Sequence, residues 1–185
     1  STPRLSSAAS DVYKRQISQA LNSFEGIKRR FDLHVNSSEK VYIDDYAHHP
    51  TEIIETINTV KKMFVGRHLT VLFQPHLFSR TDDFKHEFAQ SLSLADSLIL
   101  LDIYPAREKP IQGVDSMILL DLCVNNSKKL ISKNLVIKNL ENQKIDILLT
   151  IGAGDIADLV VPIKKMISSC CLLYTSPSPR DRFLS

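Results

Sequence analysis

Apolar and polar positions alternate along most of this chain in short, distinct patterns. Phe31 to Val35 alternates with period two and stops at Asn36-Ser37-Ser38, a turn cluster. Val41, Ile43 and Asp45 fall on one face of the next extended segment. From Pro50 the spacing changes. Ile53, Ile57, Val60 and Phe64 recur at three and four residues, the stripe of an amphipathic helix. Pro50 suits its first turn, Glu52 complements its positive end, and Gly66 stops it. Leu69 to Phe73 is a continuous apolar run of the kind found in buried parallel strands. Phe84, Phe88 and Leu92 predict a helix starting at Asp82 or Asp83. Ser97 to Leu101 reads as a strand, Pro105 to Gly113 as a loop, and Asp115 to Val124 as helical. Leu135 to Ile137 and Ile145 to Ile151 read as two more strands. Gly152-Ala153-Gly154-Asp155 then turns into a last helix, Ile156 to about Ile167. This alternation predicts an α/β fold built on an open, mostly parallel sheet.

In such sheets ligands bind beyond the carboxyl ends of the strands. Four polar clusters fall there: Asp44–Pro50, Gln74–Arg80, Asp102–Arg107 and Gly152–Asp155. In the first, Asp44, Asp45, His48 and His49 are open to three readings: metal ligation, helix capping, or hydrogen bonding to a ligand. Consecutive side chains of an extended segment point apart, which weighs against one metal collecting all four. In the second, His76 and Arg80 suit a carboxylate, since guanidinium donors are planar and permanently charged; a surface ion pair is the alternative for Arg80. Gly152-Ala153-Gly154 lacks the third glycine of a dinucleotide fingerprint and reads as a tight strand-to-helix turn rather than a phosphate site. Cys123 lies in an apolar pattern and reads as core.

Composition narrows the class without deciding it. With 185 residues, 43% hydrophobic, 24% charged and a net charge of +2, the chain suits one ordinary domain and gives no sign of a nucleic-acid partner. No apolar run approaches the roughly 18 residues of a membrane span. Three Cys make no disulfide framework, so a reducing, cytoplasmic compartment is expected.

The two ends look foreign. Asp11–Gln16 (DVYKRQ) is encoded by GATGTGTATAAGAGACAG, and Cys171–Ser176 (CLLYTS) by TGTCTCTTATACACATCT. Apart from a one-base offset these are reverse complements, as a sequencing adapter translated on both strands would be. The expected organisation is therefore a non-native, disordered end over 1–16, a native domain over 17–169, and a second non-native end over 170–185.

Five stretches occur in order: GIKRRFD (Gly26–Asp32), DDYAHHPTE (Asp44–Glu52), FQPHLFSRT (Phe73–Thr81), IYPAREKPI (Ile103–Ile111) and GAGDI (Gly152–Ile156). Together they resemble the carboxy-terminal domain of the Mur ligase family, on its alanine-adding branch. The resemblance implies a Rossmann-like domain with helices on both faces of the sheet. It implies a role in an ATP-dependent, cytoplasmic ligase of peptidoglycan synthesis that joins L-alanine to UDP-N-acetylmuramate. ATP and magnesium would serve it mainly through a central domain not present here. By the same resemblance, Arg30 approaches the ATP phosphates, Asp45 holds the ribose hydroxyls, and Tyr46 adjoins the nucleotide. His48, His76 and Arg80 line the alanine pocket. Some relatives carry a second Arg after the His, where this chain has Leu77. No G-x-x-x-x-G-K-[ST] phosphate loop occurs, so the segment alone is expected to be inactive, with no catalytic residue assigned within it. Competing readings are a tripeptide-recycling ligase for the same sugar, a freestanding binding module, and a metal hydrolase using Asp44, His48, His49 and Glu52.

Overall fold

The computed structural model of the chain describes residues 7–22 and 27–172. A first helix, α1, spans Ser7–Asn22. It is followed by β1 (Asp32–Asn36), β2 (Val41–Asp45), α2 (Pro50–Met63), β3 (Leu69–Phe73), α3 (Phe78–Asp83), α4 (Lys85–Leu92) and β4 (Ser97–Leu100). The remainder is α5 (Ser116–Leu122), β5 (Ser127–Leu130), α6 (Val136–Glu141), β6 (Ile147–Ile151) and α7 (Val160–Leu172). Short 3-10 turns at Lys133–Leu135 and Asp155–Leu159 lead into α6 and α7.

The six strands form one sheet in the order β1-β2-β6-β3-β4-β5. All neighbours are parallel except β1, which runs antiparallel to β2 with a register shift between Leu33 and Val35. This is the expected mostly parallel α/β architecture, and period two explains its layers. Val41 and Ile43, Leu69, Val71 and Phe73, and Ile147, Leu149 and Ile151 face one side, where Ile53, Ile57 and Val60 of α2 and Phe88 and Leu92 of α4 cover them. Tyr42, Leu72 and Leu148 face the other, under Val136 and Leu140 of α6 and Ile163 and Ile167 of α7. Both faces are buried, so the central strands carry near-continuous apolar runs.

Three expectations are corrected. Leu135–Ile137 is not a strand. Val136 and Leu140 are spaced one helical turn apart and bury a face of α6 on the sheet. The fifth strand is Ser127–Leu130 instead, an edge strand whose first two residues are exposed. The helix placed from Asp82 begins at Phe78, and a second starts at Lys85. Residues 7–16, expected to be disordered, are helical, although every described side chain from 12 to 19 is exposed. Residues 1–6 and 173–185 lie outside the described residues.

Candidate nucleotide and amino-acid site

The parallel arrangement brings the carboxyl ends of β2, β6 and β3 side by side: Asp45 is level with Ile151, and Ile151 with Phe73. The segments that leave these three strands are therefore gathered on one edge. Arg30, Phe31, Asp45, Tyr46, His48 and Glu52 line a cleft of about 440 Å³ there, whose far wall is the solvent face of α2. Four of the six residues singled out in the sequence thus share one cleft. His76 adjoins it, its ring 6.3 Å from that of His48. Arg80 lies in the first turn of α3, close enough for its charge to act on His76.

Asp45 sits at the mouth of β2 with both carboxylate oxygens engaged: Phe31 N–H donates to Oδ2 (2.6 Å) and Ala47 N–H to Oδ1 (2.7 Å). Burial pushes its pKa up, and the Asp44 and Glu52 charges add to this against the two N–H donors. Each oxygen keeps a second acceptor direction, so the group remains able to receive a hydroxyl. Tyr46 is 41% exposed and edge-on to His48, with ring centroids 5.3 Å apart. The Glu52 carboxylate accepts from His48 N–H (2.9 Å) and His49 N–H (3.2 Å), which satisfies orphan donors at the start of α2. The helix-capping reading of this cluster is thus realised in Glu52.

Arg29, not singled out by sequence reasoning, is tied into the interior. Its Nε donates to the wholly buried Asp44 (2.9 Å), and its Nη2 to the Gly152 carbonyl (2.6 Å). Its guanidinium also lies 5.4 Å from the Tyr46 ring centroid. Asp44 in turn accepts from Thr150 Oγ1 (2.6 Å), which meets the Tyr42 hydroxyl at 3.2 Å. Burial raises the pKa of that tyrosine. The hydrolase reading needs Asp44, His48, His49 and Glu52 to converge. Asp44 is instead committed to Arg29 and Thr150, and His49 meets the Phe84 ring edge-on, with centroids 5.0 Å apart.

The glycine turn is a packing device. Gly152 has φ +148, and a Cβ there would stand 2.9 Å from the Gln74 carbonyl oxygen. A Cβ on Gly154 would meet Gln74 Oε1 at 2.6 Å and Tyr104 Cβ at 2.7 Å. Gln74, also without an expected role, accepts from Ile156 N–H (2.8 Å) and donates to Asp155 (2.7 Å), fastening β3 to this turn. Beyond Gln74, burial and then the Arg80 and His48 charges lower the His76 pKa, with Glu108 opposing. His76 Nδ1 and Arg80 Nη1 are buried without a hydrogen-bond partner among the described residues.

The family profile described as "Mur ligase, glutamate ligase domain" matches residues 29–156. The chain belongs to the Mur ligase family. Within that family, it is 52% identical over 149 residues to a UDP-N-acetylmuramate–L-alanine ligase of Flavobacterium psychrophilum, covering 80% of this chain and 33% of the relative. It is 46% identical over 161 residues to the enzyme of the same name from Porphyromonas gingivalis, covering 86% and 35%. The chain spans about a third of the length of the curated relatives it matches. The crystal structure of a UDP-N-acetylmuramate–alanine ligase from Thermotoga maritima superposes with a TM-score of 0.63 at 26% identity, over 88% of this chain and 36% of that one. A murein peptide ligase from Psychrobacter arcticus shares the fold with a TM-score of 0.61 at 23% identity, over 80% and 32%. The Mur ligase sheet, with its antiparallel first strand, is therefore the scaffold on which the cleft is built.

Proposed function

We propose that this chain is the carboxy-terminal domain of an ATP-dependent ligase that joins L-alanine to UDP-N-acetylmuramate in peptidoglycan synthesis. The native domain runs over 17–169, and 1–16 and 170–185 derive from an adapter. One observation carries the reading. His48 lines the same cleft as Arg30, Asp45 and Tyr46, and its ring lies 6.3 Å from that of His76 at the carboxyl ends of the strands. A nucleotide and an amino acid held there would lie side by side. The shared name of the most similar relatives supports the choice of alanine, at 43–52% identity.

In this reading the lactyl carboxylate takes the γ-phosphoryl group of ATP, giving an acyl phosphate and ADP. The amine of alanine attacks that carbonyl, phosphate leaves, and the new amide nitrogen sheds a proton. Arg30 approaches the phosphates, where a guanidinium stabilises developing charge. Asp45 accepts from the ribose hydroxyls, and Tyr46 adjoins the nucleotide. Arg80 receives the alanine carboxylate, with His76 as a second hydrogen-bond partner and His48 beside His76. Magnesium would neutralise phosphate charge. No group of three or more His, Cys, Asp or Glu that could hold a metal occurs among the described residues. No helix among the described residues is long and apolar enough to cross a membrane.

The test uses the full-length ligase. Arg80→Ala should weaken alanine use by about 2–5 kcal/mol, the range for a desolvated charge pair, and leave the KM for ATP nearly unchanged. Replacing alanine with its amide should erase most of the difference between wild type and Arg80→Ala. If the variant still discriminates alanine from the amide as wild type does, the carboxylate is held elsewhere.

A further inference from the structure

Two neighbouring loops at this sheet edge each place a non-glycine residue in the left-handed region: Leu77 at φ 72 and Ala106 at φ 51. Such conformations cost free energy and persist where surrounding contacts over-determine them. Here the contacts are mutual. Tyr104 N–H donates to the Pro75 carbonyl (2.9 Å) and Leu77 N–H to the Tyr104 carbonyl (3.0 Å), while the His76 and Tyr104 rings lie 5.6 Å apart. The turn through Ala106 closes with Glu108 N–H on the Pro105 carbonyl (2.9 Å). That turn aims the Glu108 carboxylate at the start of α3. There Ser79 N–H donates to Oε2 (3.0 Å) and Ser79 Oγ–H to Oε1 (2.5 Å). Leu77, preceding α3, supplies no side-chain cap of its own, so the acid from the second loop does the capping.

Arg80 follows Ser79 directly. Glu108 spends its two oxygens on Ser79, and Arg80 Nη1 stays buried without a hydrogen-bond partner among the described residues. The negative charge is close enough to act on His76.

We propose that Glu108 is a positioning residue for the amino-acid pocket: by gripping Ser79 it fixes α3 against the 103–111 loop and holds Arg80 and His76 where a substrate carboxylate is received. The inference rests on the reading of His76 and Arg80 as that pocket.

Steady-state kinetics on the full-length ligase test it, with Arg80→Ala as reference. Glu108→Ala should raise the KM for alanine about tenfold, as for one lost charge-assisted hydrogen bond, with the KM for ATP held within about twofold. Glu108→Gln accepts from the amide and donates to the hydroxyl, so it should recover most of the loss. Ser79→Ala should raise the alanine KM by a smaller factor, and adding it to Glu108→Ala should do no further damage, because both remove one interaction. Should Glu108→Ala not fold, the Ser79→Ala and Glu108→Gln pair carries the test. An alanine KM unmoved by Arg80→Ala would overturn the pocket reading and the inference together. A raised KM in Arg80→Ala beside unchanged values in Glu108→Ala and Ser79→Ala would overturn the inference alone, as would equal rises for ATP and alanine.

Discussion

Arg29 and Arg30 are adjacent, identical in type and opposite in surroundings. The Arg29 side chain is 20% exposed and bridges Asp44 to the Gly152 carbonyl; Arg30 is exposed and lines the cleft. Breaking a buried pair by removing one member leaves an uncompensated charge, a loss of about 3–5 kcal/mol. Arg29→Ala or Asp44→Ala should therefore lower the unfolding free energy of this chain by about that much, read from urea denaturation with an unchanged slope. Arg30→Ala should stay within about 0.5 kcal/mol of wild type, as surface changes do, and in the full-length ligase should raise the KM for ATP. Comparable destabilisation by the two arginine variants would reject this division of labour. The sequence motif made both arginines visible but not their division, because which one turns inward depends on Arg29 and Phe31 adopting positive φ (59 and 50). Asp45, Tyr46 and His48 were legible as a cluster from their place at a strand end. Glu108 and Gln74 were not, since their partners Ser79 and Ile156 are 29 and 82 residues away in the chain.

At the scale of elements, legibility followed burial. β2, β3 and β6 bury nearly every position; β3 and β6 were readable from their apolar runs and β2 from its period-two face. β5, Ser-Lys-Lys-Leu, is an edge strand with polar outward positions, so neither hydrophobicity nor period two marks it. Leu135–Ile137 gave the converse error: three apolar residues read as a strand, when the next buried position, Leu140, lies four beyond Val136. Helix α3 hid because Leu77 offers no capping signal. The junction of β6 with the turn after it shows how tightly elements meet. Gly152→Ala would force a Cβ to 2.9 Å from the Gln74 carbonyl oxygen at φ +148. Overpacking and backbone strain together predict a loss of about 2–4 kcal/mol. A melting temperature for Gly152→Ala within a degree or two of wild type would show that the turn can relax, contrary to this packing.

At the scale of the whole molecule, the question is which parts belong to the cooperative unit. Both core layers are built from strands β2, β3, β4 and β6 and helices from α2 onward, and the family match covers 29–156. Helix α1 contrasts with this. Its described side chains are all exposed, including Val12 (54%), Tyr13 (69%) and Ile17 (54%), and neither core layer draws on them. Most helical stability in proteins comes from burying an amphipathic face, and isolated helices of about 16 residues are marginal in water. A protease should therefore cut at Lys14 and Arg15 long before it cuts the sheet, because cleavage follows the population of locally opened chain. The trimmed product, beginning at Gln16, should keep the melting temperature and the denaturant slope of the full chain to within experimental scatter. The comparison is direct: limited trypsin digestion, mass spectrometry of the surviving fragment, then thermal and urea unfolding of both species. Lys14 and Arg15 offer trypsin its sites. If Lys14 and Arg15 survive as long as the core, or if removing the segment lowers the melting temperature by several degrees, then α1 is packed on the domain and the adapter-derived boundary at 16 is wrong.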